Sequence, residues 1–361
     1  MKKLLFILVT FVLLLSCTKK ETNLDLSDHV FENVIDNDIY LRSISYRVID
    51  DILRIVYCDE RTQSLKYAAF TEKECNISYI DKIDTSEKNN ANMGVHGYEA
   101  VGRREYLVYE EYKSEKKNYF KAINRRFDKP SWTVDILGVN PSEFVTFSYN
   151  DNLFIMYTDD HVITKLYDNG LASVRMSEEI QGLVNPRLYK NEKADTFYLY
   201  GIENNILSQR TMHIMNQGVY KIETQKSVGI GENIKVYCVC LDSDNKPYIV
   251  YFNETDRTMT ISDPNEEKPQ LLGYFNTVYA LDSIMTDGNI YFVVSSIVPQ
   301  ETEPLTFQMT LIYRDNSGVW QEGTLCQTES PVYQVRLAEY HGQLYVIYGI
   351  NSLILARVER E

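Results

Sequence analysis

Short stretches of alternating apolar and polar residues recur along the whole chain, and polar turns separate them. The clearest is an aromatic and aliphatic segment that usually ends in tyrosine, as in "DDILRIVY", "RREYLVY" and "HGQLYVIY". Its seven copies end at Tyr57, Tyr109, Tyr157, Tyr200, Tyr251, Val294 and Tyr348, at intervals of 43 to 54 residues. Because internal periods of this size are typical of repeat architectures, the pattern predicts seven similar structural units.

Each copy lies among further alternating segments, which are expected to be strands. "EFVTFSY" (143–149) precedes one copy across the turn residues 150–152, "SLKYAAF" (64–70) follows another, and "SWTVDIL" (131–137) is a fourth segment of the same kind. No stretch has strong helical periodicity. Four strands per repeat predict an all-β fold, a seven-bladed β-propeller of four-stranded blades. A pair of β-sandwiches, or a ring of six or eight blades, is the alternative.

The last repeat ends after its third strand, at the C-terminus of the chain. A closed ring therefore needs a fourth strand from elsewhere, and "HVFENVI" (29–35) is placed to supply it. Closure of this kind would remove the exposed edges of an open ring. The propeller domain is accordingly expected to span residues 28–361.

The first residues have the pattern of a signal peptide. Three residues with two lysines precede a continuous apolar run at 4–15, which is shorter than the roughly 20 residues that a membrane-spanning helix needs. A signal peptide over residues 1–16 is therefore predicted.

The residues Leu14, Leu15, Ser16 and Cys17 resemble the lipobox of bacterial lipoproteins. The resemblance implies cleavage before Cys17, a thioether-linked diacylglycerol on its sulfur and an acyl chain such as palmitate on its amine. It also implies attachment to a membrane in the cell envelope, and Thr18 after the cysteine is similar to the pattern sent to the outer membrane. Residues 17–27 are polar and are expected to form a flexible tether. The alternative is an ordinary secretory peptide with an accidental cysteine.

Composition limits the partners of the folded part. The chain has 37 basic and 51 acidic residues and a formal net charge of −14, which argues against nucleic acid and anionic headgroups as ligands. The 28 tyrosines and 14 phenylalanines favour strands. Five cysteines remain besides Cys17; Cys58 with Cys75 is the one pairing to test, and buried unpaired thiols are the alternative.

Acidic residues follow the shared tyrosine in five of the seven copies, where the loops between second and third strands begin. Propellers generally bind ligands on the face that carries these loops. The residues predict a negatively charged mouth suited to a cationic ligand, a metal ion or a basic protein patch; ordinary solvent-exposed turns are the alternative. The candidate mouth comprises Asp59, Glu60, Glu110, Glu111, Asp159, Asp160, His161, Glu203 and Glu254.

These features favour a binding or scaffold module of the cell envelope for a protein, peptide or glycan. The chain has no Gly-x-Ser-x-Gly, His-Glu-x-x-His or phosphate-loop motif, and no catalytic residue, metal ligand or cofactor is assigned. The alternative is a carbohydrate-active enzyme. Sialidases are six-bladed propellers with Asp-box motifs, and "DNSGVW" (315–320) is similar to that box, although its serine is absent and its glycine is one place late.

Overall fold

The computed structural model describes residues 24–25, 29–82, 93–114, 117–129, 131–139, 142–159, 161–167, 172–176, 179–191, 193–216, 220–225, 228–298, 305–314 and 318–359. Its strands form seven sheets, each with a core of four antiparallel strands. The sheets are the blades of a seven-bladed propeller, which confirms the predicted fold. In these ranges no helix has the length and apolar character needed to cross a membrane.

The first three blades follow one another along the chain. Blade 1 contains β3 (Leu41–Ile49), β4 (Ile52–Asp59), β5 (Ser64–Phe70) and β6 (Cys75–Lys82). Blade 2 contains β7 (Met93–Val101), β8 (Arg104–Ser114), β9 (Lys117–Arg126) and β10 (Thr133–Val139). Blade 3 contains β11 (Ser142–Tyr149), β12 (Asn152–Asp159), β13 (His161–Leu166) and β14 (Ala172–Ser173).

Blades 4 to 6 continue the order. Blade 4 contains β16 (Val184–Asn191), β17 (Thr196–Glu203), β18 (Ile206–Asn216) and β19 (Tyr220–Thr224), with β15 (Arg175–Met176) and β20 (Val228–Glu232) added to it. Blade 5 contains β21 (Ile234–Leu241), β22 (Pro247–Asn253), β23 (Thr258–Ser262) and β24 (Gln270–Tyr274). Blade 6 contains β25 (Val278–Thr286), β26 (Asn289–Ile297), β27 (Phe307–Arg314) and β28 (Trp320–Thr328).

Blade 7 closes the ring with strands from both ends of the chain. It contains β29 (Val335–Tyr340), β30 (Gln343–Gly349), β31 (Ser352–Val358) and β2 (Val30–Asn37). The β2 strand pairs antiparallel with β31 from Val30 opposite Val358 to Asn37 opposite Ser352. The predicted closure by the segment at 29–35 is thus confirmed.

A short strand lies within the segment predicted as a tether. Leu24–Asp25, strand β1, pairs parallel with β28 at the outer edge of blade 6. The outer strand of a blade has unpaired backbone groups, so it can accept a further strand. Cys17 and the predicted signal peptide lie outside the described residues.

The seven repeated segments are the second strands of the blades. Their residues are almost continuously apolar because each second strand packs against a neighbouring blade on both faces, as in a doubly covered sheet. In β4, all residues after Ile52 are buried, and β30 is buried from Leu344 to Gly349. The core is therefore a series of clusters between adjacent blades.

The shared tyrosine connects its blade to the preceding one. The Tyr57 hydroxyl donates a hydrogen bond of 2.7 Å to Asp36, which lies on the outer strand of blade 7. The Lys66 ammonium lies 2.9 Å from Asp36 and 3.0 Å from Asp59. Buried polar groups need hydrogen-bond partners, and the groups of this cluster serve as partners for one another.

Blade 2 repeats this cluster one unit later. The Tyr109 hydroxyl donates to Asp81 on the outer strand of blade 1, and Lys121 bridges Asp81 at 3.4 Å and Glu111 at 2.5 Å. The tyrosine, the carboxylate two residues after it and the opposing lysine thus occupy equivalent positions in both blades. This repetition explains why these polar residues recur with the apolar pattern.

The disulfide between Cys58 and Cys75 is not formed, and both cysteines are free. Cys75 pairs across strands with Phe70, which pairs with Leu53, five residues before Cys58. At about 3.3 Å per residue the two cysteines are about 16 Å apart along the blade, too far for a disulfide. Burial raises the pKa of the Cys58 thiol to about 12.

Candidate functional site

A central channel of about 700 Å³ runs between the innermost strands of the blades. Each of the seven first strands, β3, β7, β11, β16, β21, β25 and β29, contributes residues to its wall. A cavity of this volume lies in the range of small-ligand sites. The channel is the described feature in which side chains from every blade converge.

Bulges shape the end of the channel where the first strands begin. In six blades the register between first and second strands shifts near the start of the first strand. A bulge turns a side chain out of the regular alternation. Arg42 and Tyr279 both occupy such positions, and both line the channel. Because first and second strands are antiparallel, this end lies on the face of the loops between second and third strands.

An ion pair crosses from blade 1 to blade 2 in the channel wall. Arg47 donates to Glu99 at 2.7 Å, and the Thr146 hydroxyl lies 3.4 Å from the same carboxylate oxygen. Glu99 is the main cause of the raised pKa of Arg47. Burial raises the pKa of Glu99, while Arg47 lowers it.

Two further arginines of the channel wall interact with Asp282. The Arg187 Nη1 atom of blade 4 lies 3.9 Å from Asp282 Oδ1 of blade 6, and its guanidinium lies 5.7 Å from the Tyr237 ring centre. The other oxygen of Asp282 accepts the backbone N–H of Leu337 at 2.9 Å. Arg336, the residue before Leu337, lines the channel from blade 7.

Aromatic and hydroxyl groups complete the wall. Tyr279 and Tyr333 make an edge-to-face contact at 5.4 Å, and Tyr333 is 56% exposed. Neutral polar residues also line the channel, namely Ser43, Ser45, Thr146, Asn185 and Gln334. The channel therefore offers hydrogen-bonding groups, aromatic rings and positive charge.

Cations neutralise five of the residues predicted to form the acidic mouth. Their ion-pair partners are Lys66 for Asp59, Arg42 for Glu60, Lys121 for Glu111, Arg210 for Glu203 and Lys235 for Glu254. Asp59 also accepts backbone N–H groups of Tyr40 and Arg61, at 3.1 and 3.0 Å, which fixes the loop. Each of the five carboxylates is thus paired with a cation of its own blade.

The remaining members of that set divide into two groups. Glu110 is buried and lines the channel. The side chains of Asp159, Asp160 and His161 lie outside the described residues; the backbones of Asp159 and His161 pair across the hairpin between β12 and β13. A ligand-binding mouth at these positions stays a prediction.

The sequence reasoning missed the arginines of the channel, Arg42, Arg47, Arg187 and Arg336. The signal was available in the first strands, which read "LRSISYRVI" in blade 1, "VNPRLYKN" in blade 4 and "VRLAEY" in blade 7. First strands surround the axis of a propeller, so charged residues on them are candidates for the channel.

The two carboxylates of the channel wall are far apart. Glu110 pairs across strands with Gly94, and Glu99 lies five residues further along the same strand, about 16 Å at a rise of about 3.3 Å per residue. Glycosidase carboxyl pairs are separated by about 5 to 10 Å. Glu99 and Glu110 therefore do not form the facing pair that the carbohydrate-active alternative requires.

A titratable cluster lies on the turn between β29 and β30. The two ring nitrogens of His341 lie 2.7 Å from Glu72 and 2.6 Å from Asp51, which joins blade 7 to blade 1. Glu72 first, and then Asp51, raise the pKa of His341. In the described part of the chain, no group of three or more His, Cys, Asp or Glu side chains could hold a metal ion.

No family model matches the chain, and no curated protein matches it. Among solved structures it is similar to BBS1N in complex with ARL6DN, with a TM-score of 0.54 and 12% identity over 91% of this chain and 96% of that one. The WD40 domain of SCAP from fission yeast gives a TM-score of 0.45 and 9% identity over 92% and 98%. The sialidase of Trypanosoma rangeli in complex with sialic acid gives a TM-score of 0.45 and 9% identity, over 88% of this chain and 54% of the sialidase chain. These likenesses concern the fold alone.

Proposed function

We propose that this protein is a lipid-anchored binding module of the cell envelope that takes its ligand into the central channel of the propeller. The observation that carries the proposal is the channel itself, about 700 Å³ with a wall built from all seven first strands. A site assembled from every blade is rigid, because all wall residues except Tyr333 and Gln334 lie on strands of the packed blades. Rigid sites lose little conformational entropy on binding.

The likeness to BBS1N supports a binding role, since that propeller is described in complex with a second protein, ARL6DN. Ligand binding through a propeller needs no catalytic group, and the channel carboxylates Glu99 and Glu110 are too far apart for a glycosidase pair. A binding role is therefore the simplest function that the described residues support.

The membrane anchor rests on the resemblance of residues 14–17 to a lipobox. Residue 24, where the chain first pairs with blade 6, is seven residues after Cys17. A fully extended chain covers at most about 3.6 Å per residue, so this segment reaches about 25 Å. A lipidated Cys17 would thus hold the edge of blade 6 within that distance of the lipid surface.

Two measurements test the proposal separately. For the anchor, the full-length chain and its Cys17→Ser variant are compared by membrane fractionation and by mass spectrometry of the N-terminal peptide. We expect acylation and membrane association of the first and release of the second. An unmodified Cys17, or a Cys17→Ser chain that stays on the membrane, would contradict the anchor.

For the channel, the Cys17→Ser chain is screened against arrays of envelope glycans and of peptides. The matched variant Gln334→Trp places an indole at the channel mouth without changing its charge. The control is Tyr274→Trp, because Tyr274 is 72% exposed on the outer strand of blade 5. We expect Gln334→Trp to abolish the binding of every specific ligand and Tyr274→Trp to leave that binding intact. Ligands that bind equally to both variants would place the site elsewhere.

A further inference from the structure

Arginines outnumber carboxylates in the lining of the channel, although the protein as a whole is acidic. Four arginines, Arg42, Arg47, Arg187 and Arg336, line it, together with two carboxylates, Glu99 and Glu110. The whole chain has a formal net charge of −14. A guanidinium group in a protein wall of low dielectric constant attracts a ligand of opposite charge where no carboxylate fully neutralises it.

Two of these arginines have carboxylate partners of their own. Arg42 binds Glu60 at 2.6 Å, and Arg47 binds Glu99 at 2.7 Å. These pairs lie between blades or within one, and their charges cancel locally. Arg42 and Arg47 are therefore already occupied, and Arg187 and Arg336 are the channel arginines that could hold an anion.

Arg187 and Arg336 share a single carboxylate. Arg187 lies 3.9 Å from Asp282, which is at the limit of an ion pair and longer than a hydrogen bond. Arg336 donates to the backbone carbonyl of Val335 at 2.7 Å, and among the residues that the structure describes no carboxylate oxygen lies within 4.0 Å of its guanidinium. Two guanidinium groups thus keep donors that no carboxylate fully occupies.

Their surroundings hold these two arginines in place. Tyr237 lies under the Arg187 guanidinium, and its hydroxyl donates to the carbonyl of Asn185 at the bulge of the same first strand. About a third of the Arg187 side chain is open to the channel. Burial lowers the pKa of Arg336 against the opposing effect of Asp282, and Arg187 lowers it further. A bound anion would relieve this repulsion.

The rest of the wall indicates the kind of anion. Tyr279 and Tyr333 offer ring faces or edges near the entrance, and Tyr333 is exposed. The hydroxyl and amide groups of Ser43, Ser45 and Gln334 can donate and accept hydrogen bonds. A ligand that carries many hydroxyl groups matches such a wall better than a peptide, whose apolar side chains need apolar pockets.

We propose that the channel binds an acidic glycan, with a uronate carboxylate on Arg187 and Arg336 and sugar rings against Tyr279 and Tyr333. Planar guanidinium groups suit this role because they hold a carboxylate through two parallel hydrogen bonds. This inference rests on the proposed function only in taking the channel as the ligand site.

Titration calorimetry of the full-length Cys17→Ser chain tests the inference. The probes are tetramers of galacturonate, mannuronate and glucuronate, the methyl-esterified tetramer of the best binder, and tetraglutamate. Arg187→Gln and Arg336→Gln each remove one charge from the channel, and Arg336→Lys keeps the charge without the planar fork. Arg126→Gln is the matched control, because Arg126 is exposed outside the channel and pairs with Asp128. Circular dichroism verifies that every variant is folded.

We expect at least one uronate tetramer to bind, its ester to bind about 10-fold or more weakly, and each channel Arg→Gln change to weaken binding about 10- to 100-fold. The affinity of Arg336→Lys should lie between that of the chain with Arg336 intact and that of Arg336→Gln. Arg126→Gln should leave binding unchanged, and higher salt should weaken binding. The inference is overturned by equal binding of acid and ester, by no effect of the arginine changes in folded protein, or by no binding of any uronate. It is also overturned if tetraglutamate binds more tightly than every uronate.

The failure of this inference is distinguishable from that of the proposed function. If no uronate binds but another ligand from the arrays is lost on Gln334→Trp, the channel remains the binding site and only the ligand class is wrong. If ligands bind without regard to Gln334→Trp, the channel site itself is wrong.

Discussion

The buried carboxylate of Glu105 is expected to be the most sensitive charged position between blades 1 and 2. Glu105 is fully buried, and three groups donate to it: Arg54 at 3.2 Å, the Arg125 Nε–H and the Tyr98 hydroxyl. Arg54 belongs to blade 1, whereas the other three residues belong to blade 2. A change from Glu105 to Gln keeps the shape of the side chain but removes the negative charge.

The expected loss follows from the charges that remain. Glu105→Gln leaves the two guanidinium groups of Arg54 and Arg125 facing a neutral amide, and Arg54 is itself buried. Removing one partner of a buried ion pair costs about 3 to 5 kcal/mol, because the remaining charge stays buried without compensation. Arg125 also stacks on Tyr67 and Trp132 at 4.6 and 4.4 Å, so it cannot turn to solvent without losing these contacts.

Urea denaturation followed by tyrosine fluorescence and circular dichroism measures this loss. The matched control is Glu254→Gln, the same change in an ion pair whose glutamate side chain is 61% exposed. Exposed pairs contribute about 0 to 1 kcal/mol. If Glu105→Gln lowers the free energy of unfolding by no more than the control does, the cluster does not stabilise the interface between the blades, and the reasoning is refuted.

Three further predictions concern the shared tyrosine, the histidine and the thiols. Tyr57→Phe should lower the free energy of unfolding by about 1.5 to 3 kcal/mol, since it removes a hydrogen bond to the charged Asp36; the exposed Tyr274→Phe should change it little, and equal effects would contradict the role of the hydroxyl. The raised pKa of His341 should stabilise the protein below the unfolded value of about 6.5, and this stabilisation should disappear as pH rises through the folded pKa; a stability difference from His341→Gln that does not shrink between pH 6 and 8 would contradict it. Cys58, whose pKa is raised to about 12 by burial, should react slowly with a thiol reagent at pH 8 in the native Cys17→Ser chain. All five remaining thiols should react after denaturation without reductant, and two missing thiols would reveal a disulfide.

The propeller was predictable because its repeat is local. Each blade carries the same order of strand, turn and apolar strand, so the positions of Tyr57, Tyr109 and Tyr348 could be read directly as second strands. Closure was predictable by counting, since a last repeat of three strands needs a partner from the other end. The addition of residues 24–25 to blade 6 was not predictable, because two residues in a polar segment show no alternation of apolar and polar positions.

The residues of the channel could be predicted from the sequence only in part. The acidic residues after the shared tyrosine were predicted as a mouth, but Asp59 and Glu111 bind lysines on the facing strand, and a lysine opposite in a sheet has no fixed separation in sequence. Arg187 and Asp282 come from blades 4 and 6, which are far apart along the chain, so their approach could not be inferred from either segment alone.

The amino-acid sequence by itself determined the repeat of four strands, the number of blades, the closure of the ring and the resemblance of residues 14–17 to a lipobox, because each depends on neighbouring residues or on counting repeats. The tertiary structure decided which charged side chains are neutralised between blades and which converge on the channel. That outcome depends on bulges, on cross-strand register and on blades brought together only when the ring closes, and none of these is a property of one short segment.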